Sequence, residues 1–80
     1  MKKKDIKKIV ESWFKNKRLK INLKENLFKS NKIDSFDVID LISFLEKKFN
    51  INFNADEVQD PNFPIIENIL NKIEEKINVK

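Results

Sequence analysis

An eighty-residue chain with no cysteine and no histidine has neither a disulfide nor a Cys/His metal site to hold it together. Apolar packing must carry the fold. A chain of this size buries only about 60% of the surface it exposes when unfolded, so the core is small. Seven Phe, one Trp and many Ile and Leu residues supply it. Length and composition point to one domain over residues 1–80.

The apolar positions indicate how that core is built. Ile6, Ile9, Val10, Trp13 and Phe14 fall at i, i+3, i+4, i+7 and i+8, one helical stripe with lysines opposite. They predict a first helix over about residues 3–16. Residues 17–34 lose this period. They read as a long loop whose Leu19, Ile21, Leu23, Leu27 and Phe28 tuck it onto the core, with one helical turn near 24–28. A loop this long in a compact domain is often functional.

A second helix starts at Asp34 or Ser35, either of which can cap it, and runs to about Phe49. Val38, Ile42, Leu45 and Phe49 form its inward stripe, flanked by Ile39 and Leu41. Asp37, Asp40, Phe44, Lys47 and Lys48 project to the opposite side. Asn50 to Asn54 break the helix, and Ile51 and Phe53 anchor the connection. Residues 49–53 alternate like a strand but have no partner with which to build a sheet. A short third helix over about 55–60 ends at Pro61. Pro64 suits the first turn of a fourth helix, whose apolar face is Ile66, Ile69, Leu70, Ile73 and Ile77. The expected fold is all-α, a four-helix bundle with a long first loop and a short third helix.

The formal charge of +4 is unevenly spread. Residues 1–20 hold nine basic residues against Asp5 and Glu11, a net +7; residues 21–80 hold eight lysines against eleven acids, a net −3. The basic set Lys2, Lys3, Lys4, Lys7, Lys8, Lys17 and Arg18 is open to two readings. One is a nucleic-acid-binding or anionic-surface module, the other a solvated helix face. Trp13 and Phe14 lie on the core stripe, so no aromatics interleave with the lysines, and nucleic acid is not an expected partner. Met1-Lys2-Lys3-Lys4 begins like an export signal, but no apolar run follows it, and a cytoplasmic location is expected. No segment approaches the roughly 20 apolar residues of a membrane span.

Most chemistry is closed to this composition. Phosphate-cradling loops need glycine, and nucleophile triads and zinc sites need His or Cys; the chain has none of the three. Asp34, Asp37 and Asp40 recur every third residue, but the calcium-loop pattern fails at Ile39 and Leu45, so no metal site is expected. No general acid/base pair emerges, and an enzyme is not expected. Ser35 remains. A serine at a helix N-terminus faces solvent where backbone N–H groups and the helix dipole favour a phosphate. Its hydroxyl suits a covalent attachment point better than a catalyst; the plain alternative is a helix cap.

The run IDSFDVIDLISFLEKKFNI, from Ile33 to Ile51, resembles the acyl carrier protein family. Asp34-Ser35-Phe36 is followed at the family's spacing by Leu45-Glu46-Lys47-Lys48-Phe49, its Leu-Glu-x-x-Phe element, then by Asn50 in place of the usual Asp, and Ile51. The helix pattern extends the likeness over nearly the whole chain. The resemblance implies an acyl-carrier-like bundle forming a single carrier-protein domain. Ser35 would carry a 4′-phosphopantetheine arm through a phosphodiester, added from coenzyme A by a phosphopantetheinyl transferase with Mg²⁺. The arm's thiol would hold acyl or aminoacyl groups as thioesters, as in lipid or fatty acid biosynthesis, for acyl or aminoacyl ligases and acyl transferases. Asp34 would help dock the transferase and its metal, and Phe36 would sit beside the arm. Asp37, Asp40 and Glu46 match positions that face basic patches on partner enzymes. A monomer is expected.

The departures from the pattern are specific. The glycine common three or four residues before the serine is absent; Asn31 stands four before, and Asn tolerates left-handed geometry. Lys47 and Lys48 replace acids, and Phe44 is bulky on an outer face that is usually small; a partly exposed Phe44 would join Lys47 as a contact for a dedicated partner, and inward packing against the third helix is the alternative. The Asp-Ser-Phe spelling and the spacing from Phe49 through Phe63 to Ile69 look similar to D-alanyl carrier proteins. Crowding by Phe28, Phe49, Phe53 and Phe63 would leave little room for a long acyl chain. A D-alanyl or other aminoacyl or peptidyl carrier is therefore the alternative cargo class.

Overall fold

A computed structural model describes residues 2–20 and 22–78. Four helices follow one another: α1 (Lys3–Asn16), α2 (Ser35–Phe49), α3 (Ala55–Gln59) and α4 (Ile66–Asn78). Among the described residues there is no strand, only one antiparallel bridge between Asn26 and Ile65. The all-α expectation and the boundaries of α1 and α2 hold. Ile21, expected to tuck the loop down, lies outside the described residues.

The core forms where three apolar stripes meet. Helix α1 contributes Ile6, Val10, Trp13 and Phe14, and packs against Ile66, Ile69, Leu70 and Ile73 of α4. Helix α2 adds Leu41, Leu45 and Phe49. The loops add Leu27, Ile33, Ile51 and Phe63. Trp13 and Phe14 meet edge to face, with ring centroids 4.9 Å apart.

The burial of α2 differs from the expected stripe. Leu41 is fully buried and Ile39 is 63% exposed, while Val38, Ile42 and Phe44 are half-buried against the core. The inward face is turned by roughly 30° from the one projected, toward Leu41 and Phe44. The cause lies across from Val38 and Ile39: they border a crevice with Phe28, Val58 and Phe63 instead of a filled core. Phe44 therefore sits at the margin of the core rather than on the outer face.

A chain without glycine must still reverse direction after its helices. Arg18, Asn31 and Asn50 do so, with φ of 60°, 61° and 55°. Arg18 closes a Schellman turn after α1: the Arg18 N–H donates to Lys15 O and the Leu19 N–H to Phe14 O. Asn50 performs the same service after α2, with the Ile51 N–H donating to Glu46 O. Asn31 adopts the left-handed geometry that its residue type tolerates. It ends a turn over 27–30, slightly later than the one expected near 24–28, whose first N–H groups at Phe28 and Lys29 are taken by the Asn26 side chain.

The long loop is fastened to the segment between α3 and α4. The Leu27 N–H donates to Pro64 O, and Asn26 Nδ2 donates to Pro61 O at 2.9 Å. Pro64 therefore lies before α4, not in its first turn: its carbonyl pairs with the loop, and the helix begins at Ile66. Lys32 ties the loop to itself, donating to Glu25 and to Lys20 O.

Helix α3 has no buried residue and ends one residue short of the expected span. A capping box between Asn54 and Glu57 starts it. Glu57 then reaches α4, accepting from Lys76 Nζ at 2.8 Å with Lys72 at 3.8 Å. Burial pushes the Glu57 carboxyl up, but the bond from Lys76, the Asn54 N–H and the nearby lysine charges more than offset this, and its pKa lies below the ordinary value.

Two predictions follow from the packing. Leu45→Ala should cost about 2–5 kcal/mol in urea unfolding, and Ile39→Ala less than about 0.5 kcal/mol. The depressed pKa of Glu57 contributes stability that is complete above the carboxylate's unfolded pKa and is lost as pH falls through the folded one. The loss of stability in acid should therefore be shallower in Glu57→Gln, measured by unfolding across the acid range.

Candidate functional site

The site is built around the first turn of α2. Asp34 is the N-cap, in extended conformation, and its Oδ1 accepts from the Asp37 N–H at 2.9 Å. Asp37 Oδ2 accepts in return from the Asp34 N–H at 3.1 Å. This is a capping box with an acid closing it at the third position. Because Asp34 does the capping, Ser35 is the first helical residue and its side chain is exposed. The Ser35 and Phe36 N–H groups have no acceptor among the described residues. They are free for an anion at the positive end of a fifteen-residue helix.

Phe36 is 82% exposed, so its place beside Ser35 is not in the core. On the other side of Ser35 lies a crevice of about 290 Å³ lined chiefly by Phe28, Val38, Ile39, Val58, Phe63 and Pro64. It falls at the small end of the roughly 300–1,000 Å³ usual for small-molecule pockets. Of the four rings expected to crowd this region, Phe28 and Phe63 line it. Phe49 is in the core, and Phe53 packs edge to face on Phe63 at 5.6 Å. Val58, Pro61 and Pro64 were not foreseen as lining residues. Their only sequence signal is that Pro61 and Pro64 flank Phe63, which gives no hint that the segment folds back beside Ser35.

The acids expected to face partners are engaged within the chain. Asp40 Oδ2 accepts from Trp13 Nε1–H at 3.1 Å. Lys17 Nζ lies 3.9 Å from both Asp37 Oδ1 and Asp40 Oδ2, and 5.3 Å from the centre of the Trp13 ring. Glu46 is half-buried, and its Oε2 accepts from the Phe53 N–H at 3.0 Å, which secures the turn after α2. Lys47 is exposed, and Lys48 is exposed with its ammonium 5.9 Å from the Phe44 ring.

A family model described as "Phosphopantetheine attachment site" matches residues 4–64, from the start of α1 to the turn before α4. The chain belongs to this phosphopantetheine carrier family. It is a non-catalytic carrier that bears covalently attached 4′-phosphopantetheine; carrier domains of this kind work with transferases and ligases generally. No curated protein and no solved structure matches the chain.

The residues present fit that group. A phosphodiester needs an accessible hydroxyl and donors for its anionic oxygens. The first turn of α2 offers an exposed hydroxyl at Ser35 and two free backbone N–H groups beside it. The crevice next to it supplies an apolar wall for a flexible chain. Among the described residues no helix is long and apolar enough to cross a membrane.

The cap is open to a direct test. Asp34→Ala removes the side-chain acceptor of the Asp37 N–H and should destabilise the carrier by about 1 kcal/mol, while Asp34→Asn, itself a strong N-cap, should cost far less. Thermal or urea unfolding of the two variants measures the difference.

Proposed function

We propose that Ser35 is the residue that carries the arm, and that this 80-residue chain acts as a single acyl or aminoacyl carrier domain. The observation behind this reading is the pairing of an exposed Ser35 hydroxyl with two unused N–H groups at the head of α2, made possible by the Asp34 cap. When attached, the arm supplies a thiol that holds a carboxylic acid as a thioester. The protein positions Ser35, offers donors to the phosphate and tethers the cargo at high local concentration for successive enzymes. Asp34, next to the modified hydroxyl, serves the transferase during docking, and Phe36 is its apolar contact.

The size of the crevice favours a small cargo. A site of about 290 Å³, open to solvent, suits a short acyl or an aminoacyl group better than a long fatty chain. This keeps a D-alanyl or related aminoacyl cargo within the proposal, alongside short acyl groups of lipid metabolism. The basic face of α1 does not favour a nucleic-acid role, because Trp13 and Phe14 are buried and leave no ring for base stacking. The proposed setting is a cytoplasmic monomer served by a phosphopantetheinyl transferase, a cargo-loading ligase and acyl transferases.

The test is an intact mass. After incubation with coenzyme A, Mg²⁺ and a broad-specificity transferase, the wild-type chain should gain one phosphopantetheinyl group and Ser35→Ala none. An equal gain in both would move the attachment to another residue. No gain in either would remove the carrier proposal.

A further inference from the structure

The acids that α2 turns outward carry less free charge than their number implies. Lys17 sits between two of them, with its ammonium 3.9 Å from Asp37 and 3.9 Å from Asp40. Its place is fixed from behind. The Lys17 N–H donates to the Trp13 and Phe14 carbonyls, and its charge lies over the ring of Trp13, a residue only 5% exposed. Trp13 in turn donates to Asp40. An isolated exposed ion pair is worth little, but here one ammonium, two carboxylates and an anchored indole hold one another in place.

The solvent face of α2 is correspondingly altered. Phe36, Ser43 and Lys47 project within roughly 40° of one another, with Ile39 and Asp40 on either side. Phe36 is 82% exposed and Ile39 63%. Around this strip, Lys17, Lys47 and Lys48 balance Asp34, Asp37 and Asp40.

We propose that Lys17 determines which enzymes this carrier serves, by holding Asp37 and Asp40 and so withholding an acidic docking patch beside Ser35. The surface offered instead is the apolar strip of Phe36 and Ile39 edged by Lys47. By charge complementarity its partner presents an apolar pocket for Phe36 and a carboxylate facing Lys47. An enzyme with an arginine-rich docking face reads this carrier weakly until Lys17 is removed. The inference rests on the carrier reading, since Ser35 is the group the partner must reach.

The experiment uses the intact chain as substrate for a phosphopantetheinyl transferase whose carrier-binding face is arginine-rich, with coenzyme A and Mg²⁺. Lys17→Gln removes the charge and leaves a polar side chain at the end of α1. Its KM should fall about two- to fivefold with kcat unchanged, a gain that high salt abolishes. Lys17→Arg should match wild type. Adding Asp37→Asn and Asp40→Asn to Lys17→Gln should return KM to the wild-type value or above. An unchanged or raised KM in Lys17→Gln overturns the inference, as does a gain that persists at high salt. Failure of both the wild-type chain and Lys17→Gln to gain mass, with this enzyme and with the broad-specificity transferase, would instead overturn the carrier reading, and the inference with it.

Discussion

The reciprocal bond between Asp34 and Asp37 fixes where α2 begins, and the site depends on that starting point. A serine at a helix start commonly spends its oxygen on the N–H groups of the first turn. Here Asp34 takes that role one residue earlier. The Ser35 hydroxyl is thereby released from the backbone and presented to solvent, while the N–H groups at the two positions after the cap stay free. An exposed hydroxyl and two free donors beside it are left available by the same capping interaction. Asp37 closes the box from within the first turn, where its charge also complements the helix dipole.

The second requirement is that the long loop return to the right place without glycine. Asn31 provides the left-handed residue three positions before the cap, and Ile33, two residues on, is buried. The bonds from Leu27 to Pro64 and from Asn26 to Pro61 bring the loop against the segment between α3 and α4. That pairing carries Phe28 and the two prolines to the side of Ser35, where they line the crevice. The crevice is thus a product of loop docking, and the half-burial of Val38 and the exposure of Ile39 on α2 follow from it.

Local chemistry was largely legible in the sequence and long-range pairing was not. The period of Ile6, Val10, Trp13 and Phe14 located α1, and the Asp34-Ser35 step located the start of α2, because both signals act within a turn or two of chain. The left-handed Asn31 was legible for the same reason. The rotation of α2 was not, since it depends on which neighbours fill the space beside Val38, and these come from residues 28, 58 and 63. The fixed φ of Pro64 suits the first turn of a helix; its carbonyl's pairing with Leu27 is invisible to any window of sequence. Asp40 likewise looked free until Trp13, 27 residues away, brought an indole N–H to it.

The anchoring of the crevice walls is unequal. The α2 wall is held by Leu41 and Leu45, both fully buried. The opposite wall includes Val58 on α3, a five-residue helix with no buried side chain. A helix this short has little stability of its own, so what holds α3 is the Asn54–Glu57 box and the pairing of Glu57 with Lys76 and Lys72. Segments with few buried apolar contacts open at low cost compared with the core. The crevice can therefore widen on the α3 side while the first turn of α2 keeps its geometry. The two walls beside Ser35 thus differ in how they are held: α2 by its buried leucines, α3 by polar bonds at its ends.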